Sequence, residues 1–242
     1  MNDHQLAAAL AAEAGRLLLR VRTELADASV AERKAQGDSR SHVFLMDRLA
    51  DARPRDAVLS EEGADDAART DADRVWIIDP LDGTREFAEP GRADWAVHVA
   101  LWQDGGLSAG AVALPAQGIT LATPVVPRPS GGPERPRILV SRSRPPAQAE
   151  QLRERLDGTL IEMGSAGAKV AAVIGGRAEI YVHAGGQYEW DSAAPVAVAR
   201  AAGLHASRID GSPLRYNQVD PLMPDLLVCH PEWAWAALAA LR

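Results

Sequence analysis

Apolar residues at Leu6, Leu10, Leu17, Val21 and Leu25 recur at helical spacing, with Glu13, Arg16, Arg20 and Arg22 mainly off that stripe. The pattern predicts an amphipathic helix. A second helical period covers Val43 to Leu49 and should stop before Pro54, because the residue ahead of a proline avoids helical geometry. Two short apolar runs, Ala57 to Leu59 and Val75 to Ile78, read as strands that lead straight into acidic residues. Trp95 to Trp102 and Leu107 to Leu114, separated by Gly105-Gly106, predict an antiparallel hairpin that Ile119 to Ala122 extends. Residues 124–136, PVVPRPSGGPERP, are too rich in proline and glycine for an interior element and mark a boundary. Beyond it, strands at Arg137–Val140, Leu160–Met163, Glu179–His183 and Leu226–Cys229 alternate with helices at Ala147–Leu156, Ala168–Ile174, Ser192–Ala201 and Glu232–Leu241. That rhythm belongs to an α/β layer.

Composition narrows the function classes. The 242 residues are 47% hydrophobic and 24% charged, which is ordinary globular usage. Acidic residues outnumber basic ones, 33 to 26, for a formal charge of −7, and no basic run offers a footprint for a nucleic-acid polymer. One cysteine, Cys229, excludes an intrachain disulfide and a cysteine zinc cage. No apolar stretch is long enough for a membrane span, and the N-terminal segment lacks the basic start of a signal peptide. These features predict a cytoplasmic protein.

The densest chemistry lies in Trp76-Ile77-Ile78-Asp79-Pro80-Leu81-Asp82-Gly83-Thr84. A strand ends in an aspartate, a proline stiffens the turn, and a second aspartate precedes a Gly-Thr that can open a helix. Carboxylate and carbonyl oxygens suit a hard cation, and backbone amides at a helix start suit phosphate. The structural alternative is a turn in which Asp82 caps a helix and Asp79 is merely exposed. Glu61 and Glu62 follow the first strand directly and are either further ligands or a solvated loop. Asp191, ahead of an Ala-rich helix, is either a ligand or a cap. The six histidines show no metal-ligand spacing. Trp76 and Trp190 are expected to pack beneath the site, and Gly185-Gly186 reads as a turn or a substrate loop.

Taken together, the Glu-Glu after a strand, the W-I-I-D-P-L-D-G-T segment and the late W-D-S-A-A resemble the Mg²⁺-dependent phosphomonoesterases of the inositol monophosphatase superfamily. The stretch Asp79 to Phe87, D-P-L-D-G-T-R-E-F, is similar to the 3′(2′),5′-bisphosphate nucleotidase (CysQ-type) branch, as are Val140-Ser141-Arg142-Ser143 and Gly164-Ser165-Ala166-Gly167-Ala168-Lys169. The resemblance implies an α/β fold, a layered α-β-α-β-α sandwich of the inositol monophosphatase and sugar phosphatase type. It implies an N-terminal α+β part over 1–125, a connection over 126–136 and a C-terminal α/β part over 137–242.

By the same resemblance, two or three Mg²⁺ ions would bind Glu61, Asp79, the Leu81 carbonyl, Asp82 and Asp191. Asp38, Glu61 and Thr84 would act in catalysis, with Thr84 and Asp38 orienting the attacking water. Glu61, Leu81, Asp82, Gly83, Thr84, Asp191, Ser141, Arg142, Ser165 and Lys169 would line the substrate, and Arg85 is a further cation facing phosphate. Asp38 sits in a segment, RKAQGDSR, that departs from the family's K-x-D-x-S-P-V-T pattern and reads as a shortened loop. The implied reaction removes the 3′-phosphate of 3′-phosphoadenosine 5′-phosphate, and also of its 5′-phosphosulfate, within sulfate assimilation. Inositol-1-phosphate or fructose-1,6-bisphosphate hydrolysis is the alternative. The expected partners are a small phosphorylated nucleotide and a second copy of the chain in a homodimer, with no nucleic-acid polymer and no membrane. An aspartyl-phosphate enzyme would need D-x-D-x-T, which the spacing here does not provide. A phosphate-binding domain without activity would need a missing ligand, and all four acidic positions are filled.

Overall fold

A computed structural model describes residues 1–129 and 131–242. Two long helices open the chain, α1 (Asp3–Glu24) and α2 (Val30–Ala52), capped by Asn2 and Ser29, whose side chains accept from Gln5 N and Glu32 N. Strands β1 (Ala57–Ser60), β2 (Arg74–Asp82), β3 (Ala96–Gln103), β4 (Gly106–Leu114) and β5 (Ile119–Ala122) follow, with a single helical turn, α3 (Thr84–Ala88), after β2. These strands form one sheet in chain order; β1 and β2 are parallel and the other neighbours antiparallel. The β3–β4 hairpin turns on Asp104-Gly105, both at positive φ (53° and 79°), and Gly106 already belongs to β4. That two-residue loop with a Gly at its second position is the one that matches strand twist.

The second half supplies β6 (Arg137–Ser141), α4 (Ala147–Leu156), β7 (Thr159–Met163), α5 (Ala166–Ile174), β8 (Ile180–Tyr188), α6 (Glu189–Ala201), β9 (His205–Ser207), β10 (Leu222–Cys229) and α7 (Pro231–Ala240). Its sheet runs β7-β6-β8-β10-β9. Side-chain alternation sorts the strands between layers. On β2, Trp76 and Ile78 pack against Leu10, Leu18 and Leu45 of α1 and α2, whereas Val75 and Ile77 join Val170, Val173, Val196 and Val198 of α5 and α6. In the second sheet, Leu139, Tyr181, Leu226 and Val228 face that same central helix pair. Ile138, Val140, Ile180, Val182 and Leu227 face Leu152 of α4 and Ala237 of α7. The result is five layers, α-β-α-β-α, as the resemblance implied.

Two expectations need correction. The helix read over Val43–Leu49 begins at Val30, so Asp38 lies on a helix and not in a loop. The inward residues of α2 are Gly37, Ser41, Leu45 and Leu49, spaced by four, and the first two are too small and polar to register as an apolar face. Gly185-Gly186 is neither a turn nor a free loop but lies within β8, at positive φ (82° and 71°), where the pairing with β10 shifts register.

Candidate active site

The chain uses a bulge to bring its two β2 aspartates together. Residues three apart on a regular strand point to opposite faces. Here Asp79 pairs with His98 and Asp82 with Ala96, so β2 spends one more residue than β3 across that interval. The bulge turns Asp82 back toward the face carrying Val75, Ile77 and Asp79, which is covered by the central helices. Both of those helices start at this point. Asp191, in the first turn of α6, completes a trio in which one carboxylate oxygen each of Asp79, Asp82 and Asp191 lies within 4.8 Å of the others.

Each carboxylate is held by its own chain. Asp79 Oδ1 accepts from Leu81 N at 3.0 Å. Asp191 Oδ2 accepts from Tyr188 N at 2.7 Å, so it caps α6. Asp82 Oδ2 accepts from Ser165 Oγ at 2.5 Å and Gly167 N at 2.8 Å. Ser165 makes this contact from φ 40°, a left-handed conformation uncommon in non-glycine residues, while its hydroxyl also caps α5 by accepting from Ala168 N.

The charges are costly without a counter-ion. Burial, reinforced by Glu61, Asp82 and Asp191, drives the Asp79 pKa well above the ordinary carboxylate value. Burial and the Asp82 charge raise Asp191 to about 6. Glu61, just beyond β1, is open to water on one side, yet the surrounding protein and the charges of Asp191, Asp82 and Glu62 lift it to about 7 against a hydrogen bond shared with Asp79. Asp82 differs: its burial is outweighed by His98, Lys169 and the Ser165 hydrogen bond, which hold it below the usual value. Three crowded carboxylates, two of them unwilling to ionise alone, are a donor set that fits a hard divalent cation.

Thr84 opens α3 after Gly83, whose φ of 85° suits glycine and where an added Cβ would stand 3.2–3.3 Å from Ser165, Asp94 and Trp95. The Thr84 hydroxyl has Asp38 Oδ1 at 3.2 Å and the Leu81 carbonyl at 3.1 Å as acceptors. The Thr84–Asp38 pairing implied by the resemblance is thus present, made from helix α2. Burial and the nearby Glu62 raise Asp38 to about 6.

A cavity of about 260 Å³ opens over these groups, lined by Asp82, Gly83, Thr84, Ser165 and Asp191, with Ser141, Arg142 and Lys169 along its wall. Two of the expected substrate contacts have their polar ends occupied. From just past β6, Arg142 grips Glu86 of α3 (2.9 Å) and Glu89 at its C-cap (2.8 and 3.0 Å), and Lys169 Nζ donates to the carbonyls of Gly164 (2.9 Å) and Ser165 (2.8 Å). Burial lowers Lys169 to about 8, against the pull of Asp82 and Glu86. Arg85 and Arg144 line the same cavity and make no ion pair among the described residues. Sequence reasoning passed over Arg144, which stands beside the quoted Ser-Arg-Ser stretch, and set His98 and His183 aside with the other histidines for want of metal-ligand spacing, while Gln187 follows the Gly185-Gly186 pair read as a turn or a substrate loop. Trp76 is fully buried, but on the α1–α2 face of β2, away from the carboxylates, and its indole donates to Asp56; Trp190 stacks on Tyr188 at 4.7 Å.

The pattern that defines the inositol monophosphatase family matches residues 3–126 and 135–241, and the chain belongs to that family. A protein of Mycobacterium tuberculosis named 3′-phosphoadenosine 5′-phosphate phosphatase is 53% identical over 95% of this chain and 89% of its own length. The Mycobacterium leprae protein of that name is 49% identical over 100% and 94%. Among solved structures, CysQ from Bacteroides thetaiotaomicron superposes with a TM-score of 0.77 at 27% identity, over 94% of this chain and 97% of that one.

Proposed function

We propose that this protein is a Mg²⁺-dependent phosphomonoesterase that hydrolyses the 3′-phosphate of 3′-phosphoadenosine 5′-phosphate to give AMP and phosphate. The observation that carries the substrate is the 53% identity, over almost the whole chain, to the mycobacterial phosphatase of that nucleotide. The convergence of Asp79, Asp82 and Asp191 beside the Thr84–Asp38 pair supports the reaction type. The 5′-phosphosulfate of the same nucleotide is a second substrate on this reading, which fits a role in sulfate assimilation.

Hydrolysis of a phosphate monoester needs an in-line water, neutralised phosphoryl oxygens and a stabilised leaving alkoxide. Bound divalent cations would supply the charge neutralisation and the acidity of the attacking water. Glu61, Asp79, Asp82, Asp191 and the Leu81 carbonyl are the groups that would hold them. Thr84 has one hydroxyl hydrogen and two acceptors, so it donates to Asp38 or Leu81 and keeps a lone pair for a proton of the water. It therefore orients the nucleophile and does not become one. The amides of Gly83 and Thr84 would receive the scissile phosphate, and Ser141 would offer a hydroxyl on the cavity wall, whereas the one hydrogen of the Ser165 hydroxyl is given to Asp82.

The test is kcat/KM, with Mg²⁺, for 3′-phosphoadenosine 5′-phosphate, inositol 1-phosphate and fructose 1,6-bisphosphate. The nucleotide should lead clearly, and a preference for either sugar phosphate would reject the reading.

A further inference from the structure

His98 is fully buried on β3, directly across from Asp79 in the strand register. Both ring nitrogens face oxygen acceptors. Nε2 lies 3.1 Å from Asp82 Oδ2, and Nδ1 lies 3.2 Å from the Trp190 carbonyl and 3.9 Å from Asp79 Oδ2. A proton on Nδ1 meets the Trp190 carbonyl, and one on Nε2 has Asp82 Oδ2 as its nearest acceptor. Trp190 is the chain neighbour of Asp191, so one rigid ring touches both β2 carboxylates and the turn that delivers the third.

Room for the ring is built in. A Cβ at position 167 would stand 2.2 Å from His98 Nε2, and glycine there removes it. Nε2 is a buried polar atom without a well-aligned hydrogen-bond partner, and its nearest acceptor is Asp82. Asp82 Oδ2 already accepts from Ser165 and Gly167, so the ring presses on an oxygen that is committed to the protein. The oxygen left for a cation is Oδ1.

We infer that His98 is a positioning residue of the metal site, fixing the Asp82 carboxylate and the start of α6 relative to one another. This rests on the metal-site reading above. Groups behind metal ligands typically change affinity by about 10–100-fold when removed.

The experiment is calorimetric titration of Mg²⁺ into the full-length protein and its His98→Leu, His98→Asn and His98→Gln variants, with thermal unfolding of each in chelator. His98→Leu should bind about 10–100-fold more weakly. Glutamine, whose amide nitrogen falls near the position of Nε2, should keep affinity close to wild type, whereas asparagine, reaching only as far as Nδ1, should not. Should the leucine variant fail to fold, the asparagine–glutamine comparison carries the same decision. Equal affinity in wild type and every folded variant, with only chelator stability lowered, would assign His98 to packing and overturn the inference alone. A wild-type protein that takes up no Mg²⁺ would overturn the metal-site reading along with it.

Discussion

Thr84 is the residue at which local sequence and distant structure meet. Its hydroxyl is supplied by the D-G-T turn, but its partner Asp38 is 46 residues away on α2. Replacing Thr84 with Ala removes the lone pair proposed to orient the water and touches none of the trio. We expect kcat to fall by about 100-fold or more while Mg²⁺ affinity stays unchanged, read by steady-state kinetics and calorimetry. The carboxylates set a pH dependence. Asp191 at about 6 and Glu61 at about 7 are raised in the fold, so they favour the folded state at acid pH, and that contribution is lost as pH rises through those values. Asp82, held low, runs in the opposite sense only under strongly acid conditions. His183 and His205, lowered chiefly by burial, also oppose the trend below neutrality. The clean readout is therefore the increase in Tm caused by Mg²⁺, which should grow from pH 5 to pH 8 as protons stop competing for Asp79, Asp191 and Glu61. An increment that is flat across that interval would count against these groups as ligands.

Helix α2 positions Asp38 by being smooth where it meets the site. A Cβ at position 37 would stand 2.7 Å from Phe87 Cε1 and 2.8 Å from Leu81 Cδ2. Glycine lets the helix lie against the β2–α3 turn, and Ser41 one turn later donates to the Pro80 carbonyl at 2.7 Å. Alanine normally improves a helix interior by about 1 kcal/mol over glycine. Here the added methyl would push α2 away from Thr84, so Gly37→Ala should lower both Tm and kcat, the latter without a matching rise in KM. A variant that is more stable and fully active would show that the close approach is unnecessary. The same turn is braced from the far side. Gly164 is where a Cβ would fall 2.4 Å from Glu86, the carboxylate that grips Arg142. The start of α3 is thus confined by residues from both halves of the chain.

At the scale of the molecule, the two sheets close on one helix pair, and the central core mixes Val75, Ile77 and Val112 with Val170, Tyr181 and Val196. Polar ties cross the same divide, as when Arg69 donates to Asn217 Oδ1 at 2.9 Å and the Gln218 carbonyl at 2.9 Å. We propose the boundary over 126–136 as a division between halves that share an interior, not between independent folding units. Residues 1–125 expressed alone should lack fixed tertiary structure, seen as a weak near-ultraviolet circular dichroism signal from Trp76 and Trp95. Cooperative unfolding of that fragment would restore the two-domain description. The charge of −7 also changes meaning at this scale. Part of it is gathered into Glu61, Asp79, Asp82 and Asp191, where bound cations would turn an acidic pocket into one that accepts phosphate.

By itself the sequence determined the strand pattern, which rests on local periodicity, and the motifs around Glu61, Asp79, Asp82 and Asp191, which rest on neighbours within a few positions; the layered fold followed from the family those motifs resemble. The distant pairings were beyond it. The tertiary structure alone decided that Asp38 rides on a helix, since the inward face there is Gly37 and Ser41 and has no apolar periodicity. It decided that Arg142 is spent on Glu86 and Glu89, more than fifty residues away, and that Lys169 turns to the carbonyls of the Ser165 turn. It alone placed His98 against Asp82. Such contacts are made only when the sheets and the central helices have closed, and nothing in the spacing of residues along the chain encodes them.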